Sequence, residues 1–496
     1  MNRPIRNLAV ACLVLFLALL GNATYVQYWE ADSLNSLSAH PDNIRVRDAE
    51  FSRQRGAILV RGRAVAESNP SHDQYKYQRV YPKGKQYAHL TGFFSRDWGI
   101  AGIESSENSI LSGSDDALFV TRVVDLVDNQ SPKGGNVTLT IDPAAQKAAY
   151  DGLRALGNRV QAAVVALEPS TGKILAMASS PTYDPNKLAG HDFGKVGKVK
   201  QRLQADKLSP LDNRAIETVL PPGSTFKLVT AAAALETGKY HPSSLVPGGS
   251  RLDLPQTSNT LPNENGVSCG GSKITLTRAL EVSCNVAFGW LGLQLGPHKL
   301  RQEAQKFGFG KTYFHDLDDP TTRQAVSQFP KDAAGPLAAY SAIGQYDVRA
   351  TPLQMAMVAA GIANGGRVRK PYLVDEIQSP NVKVLSKTEP EYLPDQPAMS
   401  PAAARELTRM MVGVVDNGTG TTAQIPGVEV AGKTGTAQSA PSRPPYAWFV
   451  SFAPAQNPQV AVAVLVQDAG VARDAISGSG LAAPIAKAVM EAVMGR

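Results

Sequence analysis

Three short groups of residues, in a fixed order along the chain, could together carry out nucleophilic chemistry. They are Ser224-x-x-Lys227, Ser283-Cys284-Asn285 and Lys433-Thr434-Gly435. Ser224 begins a segment that reads as a helix, and a partner three residues on lies on the same face, so the Lys227 amine can reach the serine hydroxyl. A lysine with a pKa near 10.4 is a poor base while charged, but burial and a second cation, Lys433, would disfavour the charged form. We therefore expect a neutral Lys227 to act as general base toward Ser224.

Each group alone is a weak signal, because similar patterns occur elsewhere in the chain. Ser170-Thr171-Gly172-Lys173 repeats the first pattern inside an expected hairpin turn, where serine and glycine are ordinary turn residues. Ser33-Leu34-Asn35 and Ser106-Glu107-Asn108 repeat the second pattern in a polar stalk and a surface loop. An isolated Lys433 would be read as a solvated lysine at a strand edge. Order, spacing and context together (helix, then loop, then strand) favour the catalytic interpretation.

The third group also overlaps a different motif. Residues 427–436, GVEVAGKTGT, satisfy the phosphate-loop pattern G-x-x-x-x-G-K-[ST]. A phosphate loop requires a helix that begins at the Lys-Thr pair, so that its N-terminal amides face the phosphates. Here Gly435-Thr436 and then Ser442-Arg443-Pro444-Pro445 follow, before another apolar strand pattern. Nucleotide binding is therefore not predicted.

Composition excludes several other classes of protein. The 496-residue chain has a formal charge of +7 without a dense lysine and arginine run, so nucleic-acid binding is not expected. Three cysteines are too few for a four-cysteine metal site. The seven histidines fall in no motif, and the sequence contains neither G-x-S-x-G nor H-E-x-x-H. We expect neither a Ser-His-Asp hydrolase nor a zinc enzyme.

The N-terminus has the features of a membrane anchor. Arg3 and Arg6 precede an apolar run from Leu8 to Leu20, and an aromatic cluster follows at residues 25–29. About 20 helical residues span a bilayer, with the arginines in the cytoplasm and the aromatics at the far interface. A cleaved signal peptide is the alternative, since residues 21–23 resemble a small-residue cleavage site. Either way the rest of the chain is exported, where ATP is not available.

Two cysteines beyond this segment could form a disulfide. Cys269 and Cys284 lie 15 residues apart, and Cys284 is the middle residue of the Ser-x-Asn group. Because export permits disulfides, we predict a bridge that fixes this loop. The alternative is two buried free thiols.

The secondary-structure pattern places strands at both ends of the second half of the chain. Residues 134–142 alternate as a strand, and Asp142-Pro143 opens a helix. Residues 162–180 read as a hairpin, residues 224–238 as a helix, and the stretch to about residue 370 as largely helical. The tail returns to three strands and a final helix. One sheet built from both ends would enclose an inserted helical subdomain.

Further stretches extend these motifs into a family resemblance. They are NRA (213–215), PPGSTFK (221–227), GIESSENSILSG (102–113), GQYDVRATPLQMA (344–356) and GKTGTA (432–437). With them the chain resembles class B members of the penicillin-binding protein and serine β-lactamase superfamily, and within them the PbpA-type proteins of actinobacteria. The resemblance covers nearly the whole chain past the anchor. One departure is that Arg55-Gly56 and Ile58 lack the aspartate-arginine pair usual a few residues on, which puts family-derived contacts of this region in doubt.

The resemblance implies an α+β fold. It consists of an antiparallel five-stranded sheet flanked by helices, with an inserted all-helical subdomain. A small mixed α/β pedestal of the dimerisation type and a transmembrane helix precede it. We expect residues 1–29 to form the cytoplasmic tip and anchor, residues 30–155 the pedestal, and residues 156–496 the transpeptidase domain.

The resemblance also implies roles for the site residues. Ser224 would be the nucleophile, and the backbone N–H groups of Ser224 and Thr436 would form the oxyanion hole. Lys433, Thr434 and Thr436, on the strand that contains Gly435, would bind the terminal carboxylate of the substrate. Ser283 would relay a proton toward the leaving amine, and Asn285 would orient the acyl side chain. No metal or organic cofactor is implied.

The implied reaction is D,D-transpeptidation of peptidoglycan stem peptides that end in D-Ala-D-Ala, with β-lactams as mimics of the acyl donor. Residues 30–155 are too few for an added glycosyltransferase, so a separate glycan polymerase and cell-wall assembly proteins are expected partners. A D,D-carboxypeptidase or β-lactamase on the same residues is one alternative. A non-catalytic scaffold that binds β-lactam or muropeptide is the other, although the intact Lys227 and Ser283 argue against it.

Overall fold

The structure is a computed structural model that describes residues 3–30, 48, 50–119, 133–319, 322, 324–393, 396–438, 444–470 and 476–496. The described residues fall into two compact units. One unit draws on Met1–Arg53 and Pro70–Tyr77, and the other on Gln54–Asn69 and Gln78–Arg496.

The α-helices, numbered in chain order, are α1 (Arg3–Tyr28), α2 (Gly84–Thr91), α3 (Ile103–Ser106), α4 (Asn108–Ser112), α5 (Pro143–Ala155), α6 (Phe193–Ala205), α7 (Arg214–Glu217), α8 (Lys227–Leu235), α9 (Leu276–Glu281), α10 (Asn285–Lys306), α11 (Pro336–Ala342), α12 (Pro352–Ala363), α13 (Pro401–Asp416) and α14 (Ala483–Val493).

The strands are β1 (Ile58–Val60), β2 (Arg63–Pro70), β3 (Tyr77–Val80), β4 (Phe94–Ser95), β5 (Gly99–Ile100), β6 (Asn136–Leu139), β7 (Gln161–Leu167), β8 (Ile174–Ser180), β9 (Leu245–Pro247), β10 (Arg251–Asp253), β11 (Thr260–Pro262), β12 (Lys273–Thr275), β13 (Val374–Gln378), β14 (Val384–Lys387), β15 (Ala431–Ala437), β16 (Tyr446–Ala453) and β17 (Val460–Asp468).

Helix α1 is long and apolar enough to cross a bilayer. It has 26 residues, and its most apolar 18-residue window has a mean hydropathy of 2.1. A cleaved signal sequence would show the same length and composition.

The largest core surrounds a five-stranded antiparallel sheet with the strand order β15-β16-β17-β7-β8. Strand β17 is apolar at successive positions, as expected for a strand buried on both faces. Val462 and Val464 pack on the face covered by α5 and α14. Ala463 and Leu465 pack on the opposite face, which includes α12. Strands from both ends of the domain thus meet in one sheet, and the predicted fold class is confirmed.

Local signals explain several element boundaries. The Asp142 side chain accepts hydrogen bonds from the Ala144 and Ala145 amides, and Pro143 occupies the first turn of α5. The predicted hairpin forms from β7 and β8. Residues 431–437 are a strand, so the helix required for a phosphate loop does not begin at Lys433.

The prediction of an all-helical insertion was wrong in one respect. Between α8 and α9 the chain also forms two small sheets, which pair β9 with β12 and β10 with β11. Each of these strands has only three residues. A run this short gives too few positions for a period-two pattern to stand out in the sequence.

A second sheet has six strands in the order β14-β13-β6-β1-β2-β3. Strands β13 and β14 come from residues 374–387, a range that the sequence assigns to the transpeptidase domain. Next to this sheet, Glu104 accepts hydrogen bonds from Nε of Arg55 at 2.5 Å and Nε of Arg79 at 2.6 Å. All three side chains are buried, so Arg55 and Arg79 share the carboxylate of Glu104 inside the protein.

Candidate active site

The predicted nucleophile lies on a tight turn against the edge of the five-stranded sheet. Ser224 belongs to a 3-10 turn, Gly223–Phe226, which leads directly into α8. Gly223 has φ +54°, and a Cβ there would lie 2.9 Å from the Thr436 carbonyl oxygen. Glycine therefore allows the turn to approach strand β15 closely. Ser224 is half-buried and lines a cavity of about 540 Å³ together with Asn285 and Thr436.

Two buried lysines from distant parts of the chain converge beside this turn. Nζ of Lys433 donates hydrogen bonds to Oγ of Ser283 at 2.9 Å and to the Thr434 carbonyl at 2.8 Å. Nζ of Lys227 donates to the Ser283 carbonyl at 2.7 Å, to Oδ1 of Asn285 at 2.7 Å and to Oγ of Ser283 at 3.3 Å. The hydroxyl that both amines share is thus that of Ser283.

The expected direct contact between Lys227 and Ser224 is not formed. Both residues lie in the described part of the chain, and no hydrogen bond joins them there. The Lys227 amine is instead surrounded by three oxygen atoms of residues 283–285, so its nitrogen is engaged by that turn rather than by Ser224. The prediction considered only the helix spacing of the two residues, whereas the acceptors come from a turn 56 to 58 residues away.

The lysine charges are strongly disfavoured in this site. Burial lowers the pKa of Lys227 well below its ordinary value of 10.5, and the charge of Lys433 lowers it further, whereas Glu264 opposes both effects. Burial lowers the pKa of Lys433 to about 7, again against the carboxylate of Glu264. Desolvation and a neighbouring cation are the two causes expected from the sequence.

The turn that contains Ser283 has a strained backbone and is fixed by a disulfide at the next residue. Ser283 has φ +57°, a left-handed conformation that costs energy for any residue with a Cβ. Cys284 forms a disulfide with Cys269, with the two Cα atoms 5.9 Å apart. The predicted bridge is therefore present, and it ties the turn to the preceding loop.

Strand β15 brings the third group of residues to the nucleophile. It is an edge strand of the sheet, so alternate backbone N–H groups face away from β16. A Cβ on Gly435 would lie 2.9 Å from Cγ2 of Thr225 and 3.0 Å from the Pro222 carbonyl. The indole N–H of Trp448 on β16 donates to the Pro221 carbonyl at 3.0 Å. These contacts fix the spacing between the turn and the strand.

The other sequence matches to these patterns lie elsewhere. Lys173 forms an ion pair with Asp375 at 2.8 Å, and Ser106 donates to the Asp316 carbonyl. The match at residues 33–35 lies outside the described residues.

Several residues of the site were not predicted. Thr419 shares a 2.6 Å hydrogen bond with Thr434, and Glu264, Tyr340 and Tyr346 line the cavity. Tyr346 belongs to the quoted stretch 344–356, so a signal for it was available. Glu264 lies on an irregular loop, where no periodicity in the sequence points to the site.

Comparisons with known proteins agree with this geometry. Residues 162–491 match the family model "Penicillin binding protein transpeptidase domain", and residues 55–137 match "Penicillin binding protein A dimerisation domain". The chain is 44% identical to the peptidoglycan D,D-transpeptidase PbpA of Mycolicibacterium smegmatis over 504 aligned residues, which cover 100% of this chain and 99% of the relative. It is 42% identical to PbpA of Mycobacterium tuberculosis, with the same coverage.

A solved structure of a penicillin-binding protein has the same fold as this chain. The ceftriaxone acyl-enzyme complex of penicillin-binding protein A from M. tuberculosis superposes with a TM-score of 0.85 at 40% identity, and the match covers 90% of this chain and 100% of that one. The chain therefore belongs to the penicillin-binding protein transpeptidases, as a peptidoglycan D,D-transpeptidase of the PbpA type.

Proposed function

We propose that Ser224 forms the acyl-enzyme of this transpeptidase with peptidoglycan stem peptides that end in D-Ala-D-Ala. The observation that carries this proposal is the convergence of Lys227 and Lys433 on the hydroxyl of Ser283, beside the cavity that Ser224 lines. Ser224 attacks the penultimate carbonyl, a C–O bond forms, the peptide C–N bond breaks, and D-alanine leaves. β-Lactams enter the same site as mimics of the acyl donor.

The proton route follows from the hydrogen bonds of a neutral Lys227. Its two N–H groups can donate to the Ser283 carbonyl and to Asn285, the two acceptors at 2.7 Å. The lone pair is then available to Oγ of Ser283, at 3.3 Å. A proton taken from Ser224 can reach the leaving amine through Lys227 and Ser283, while Lys433 donates to Ser283 from the other side. Substrate binding must bring Ser224 into this network.

Strand β15 supplies the electrostatic part of the mechanism. The backbone N–H groups of Ser224 and Thr436 would stabilise the oxyanion, and the close contact between the turn and the edge strand at Gly223 supports this role. Thr434 and Thr436 bind the carboxylate of the donor peptide, and the buried Lys433 attracts it through its charge, along a strand kept close to the nucleophile by Gly435. Asn285, which also lines the cavity, positions the acyl side chain.

The direct test is covalent labelling. Detergent-solubilised full-length protein is incubated with a fluorescent penicillin, and the adduct is mapped by mass spectrometry. We expect one label on Ser224, which is lost in Ser224→Ala. The exposed Ser170 provides the control, because Ser170→Ala removes a serine from the similar S-x-x-K pattern and should leave labelling unchanged. An absence of any adduct at high ligand concentration would contradict an acylating enzyme.

A second assay separates crosslinking from hydrolysis. With a donor peptide alone, a D,D-carboxypeptidase would release D-alanine by hydrolysis at full rate, whereas a β-lactamase would rapidly hydrolyse penicillin instead. A transpeptidase gains a new amide product when an acceptor amine is added.

The cellular setting is also a proposal. Helix α1 would anchor the chain with Arg3 and Arg6 in the cytoplasm, residues 30–155 as a pedestal and residues 156–496 as the transpeptidase domain outside. Glycan polymerisation would then require a separate partner. Protease treatment of intact spheroplasts tests the topology, because an external domain is digested and a cytoplasmic one is protected.

A further inference from the structure

We propose that Glu264 selects the acceptor, because its carboxylate binds the cationic amine that resolves the acyl-enzyme. This inference rests on the proposed function, since it assigns a residue to the second half of that reaction.

Glu264 lies in the wall of the cavity that contains the nucleophile. It lines the same cavity as Ser224 and Thr436, and its side chain is exposed to the solvent that fills this cavity. Among the described residues that line the cavity, Glu264 is the one charged side chain. The lysines lie buried behind the wall rather than on it. An incoming cation therefore meets a single opposite charge near the nucleophile.

The loop that holds Glu264 is fixed to the catalytic turn by three contacts. Nδ2 of Asn285 donates to the Pro262 carbonyl at 3.2 Å. The Val286 amide donates to Oδ1 of Asn263 at 3.0 Å. The disulfide between Cys269 and Cys284 closes the loop from its other end. Because these contacts bracket residue 264, its backbone is held at a set distance from Ser283.

Asn263 also anchors the loop from within. It is buried, and its Nδ2 donates to the Gly249 and Val267 carbonyls, both at 2.8 Å. Glu264 follows immediately in the 3-10 turn Glu264–Gly266. The backbone is thus well supported, while no hydrogen bond or ion pair within the described part of the chain occupies the carboxylate.

The charge of Glu264 acts on the catalytic amines. Its carboxylate raises the pKa of both Lys227 and Lys433, against the larger effect of burial. The carboxylate is therefore close enough to influence a charge at the reacting atoms, and an acceptor ammonium would approach this same region.

Aminolysis of the acyl-enzyme can be written with every proton and bond accounted for when Glu264 binds the acceptor. The ammonium pairs with Glu264 and gives one proton to the neutral Lys227 through Ser283. The free amine then attacks the acyl carbonyl, so that a C–N bond forms and the C–O bond to Ser224 breaks. The nitrogen of the new amide gives a second proton to Oγ of Ser224, which regenerates the serine, and Lys227 releases the first proton to the solvent and becomes neutral again. Water, which has no charge, gains nothing from Glu264, so the residue favours crosslinking over hydrolysis.

The test measures how the acyl-enzyme divides between aminolysis and hydrolysis. Full-length wild type and Glu264→Gln are given a thioester acyl donor with either Nα-acetyl-lysine, which presents a cationic amine, or hydroxylamine, which is uncharged near neutral pH. For an exposed charge pair we expect the aminolysis-to-hydrolysis ratio with Nα-acetyl-lysine to fall about 2- to 5-fold in the variant. The ratio with hydroxylamine should be unchanged, and penicillin labelling of Ser224 should be retained.

Asp253→Asn is the matched control, because it removes one exposed carboxylate from strand β10, in the small sheet just before the Glu264 turn, and Asp253 does not line the cavity. An unchanged ratio with Nα-acetyl-lysine would overturn the proposal, and so would an equal fall with both nucleophiles. An effect on acylation alone would also overturn it, since Glu264 would then act only on the lysines. Failure of the proposed function has a separate signature, which is the absence of a penicillin adduct on wild-type Ser224.

Discussion

At the scale of single residues, Ser283 joins the parts of the site. Its hydroxyl is shared by two lysine amines, its carbonyl binds Lys227, and its backbone adopts φ +57°. Strain of this kind is maintained only where surrounding contacts impose it. Here the disulfide at Cys284 and the hydrogen bonds of Asn285 impose it.

Two substitutions separate the chemistry of Ser283 from its strain. Ser283→Ala and Ser283→Gly both remove the hydroxyl, so we expect penicillin acylation to slow about 100-fold in each. Only glycine adopts positive φ without cost, so Ser283→Gly should be more stable than Ser283→Ala by about 1 kcal/mol. Stopped-flow acylation and thermal unfolding measure the two effects. Equal stability of the variants would argue against strain, and normal acylation would exclude Ser283 from the proton route.

At the scale of elements, the site depends on the spacing between β15 and the turn before α8. Glycines at positions 223 and 435 allow this approach, and Trp448 and Pro221 link the two elements.

Gly435→Ala should widen this spacing. The added Cβ would lie within 3.1 Å of the Thr225 side chain, the Pro222 carbonyl and Cβ of Trp448. We expect a loss of about 1–3 kcal/mol in stability together with slower acylation. Gly194→Ala is the control, because its nearest neighbour is 3.6 Å from the new Cβ and alanine favours the helix α6. If Gly435→Ala were acylated at the wild-type rate, the spacing between β15 and the turn before α8 would not be critical.

The elements also show what the sequence could reveal. Two apolar runs on either side of a turn located β7 and β8, and helical patterns located α5 and α14, because each element is long and buries one or two continuous faces. The motifs pointed to Ser224, Lys227, Ser283 and Lys433, but the spacing along the helix did not reveal the hydrogen bonds of Lys227 to Ser283 and Asn285. The three-residue strands and the position of Glu264 depend on loop packing, which no local pattern encodes.

At the scale of the whole molecule, two buried lysines oppose folding. In the unfolded chain Lys433 keeps its proton up to pH about 10.5, whereas in the folded chain its pKa falls to about 7. Between these pH values the unfolded state binds more protons, so stability rises with pH. Below pH 7 both states are protonated, and the full cost of burying the charge remains.

Lys433→Met should therefore stabilise the protein most at low pH. We expect the free energy of unfolding to rise by about 1–3 kcal/mol at pH 6, since the lost hydrogen bonds offset part of the desolvation cost. The gain should shrink toward pH 10. Thermal unfolding at both pH values measures it, with the exposed Lys239→Met as control. A gain independent of pH would mean that titration of Lys433 is not its cause.

We propose that burial and the charge of Lys433 together keep Lys227 neutral, so that it serves as the base. The most direct measurement is the pH dependence of the second-order rate of penicillin acylation in wild type and Lys433→Met. For wild type we predict that the rate falls toward low pH with a midpoint far below pH 10, because burial lets Lys227 lose its proton far below its ordinary pKa. In the variant this midpoint should move to higher pH, whatever the absolute rate, because the charge that lowers the pKa of Lys227 is gone. A wild-type midpoint near pH 10 would contradict this proposal. A midpoint that is the same in wild type and Lys433→Met would also contradict it.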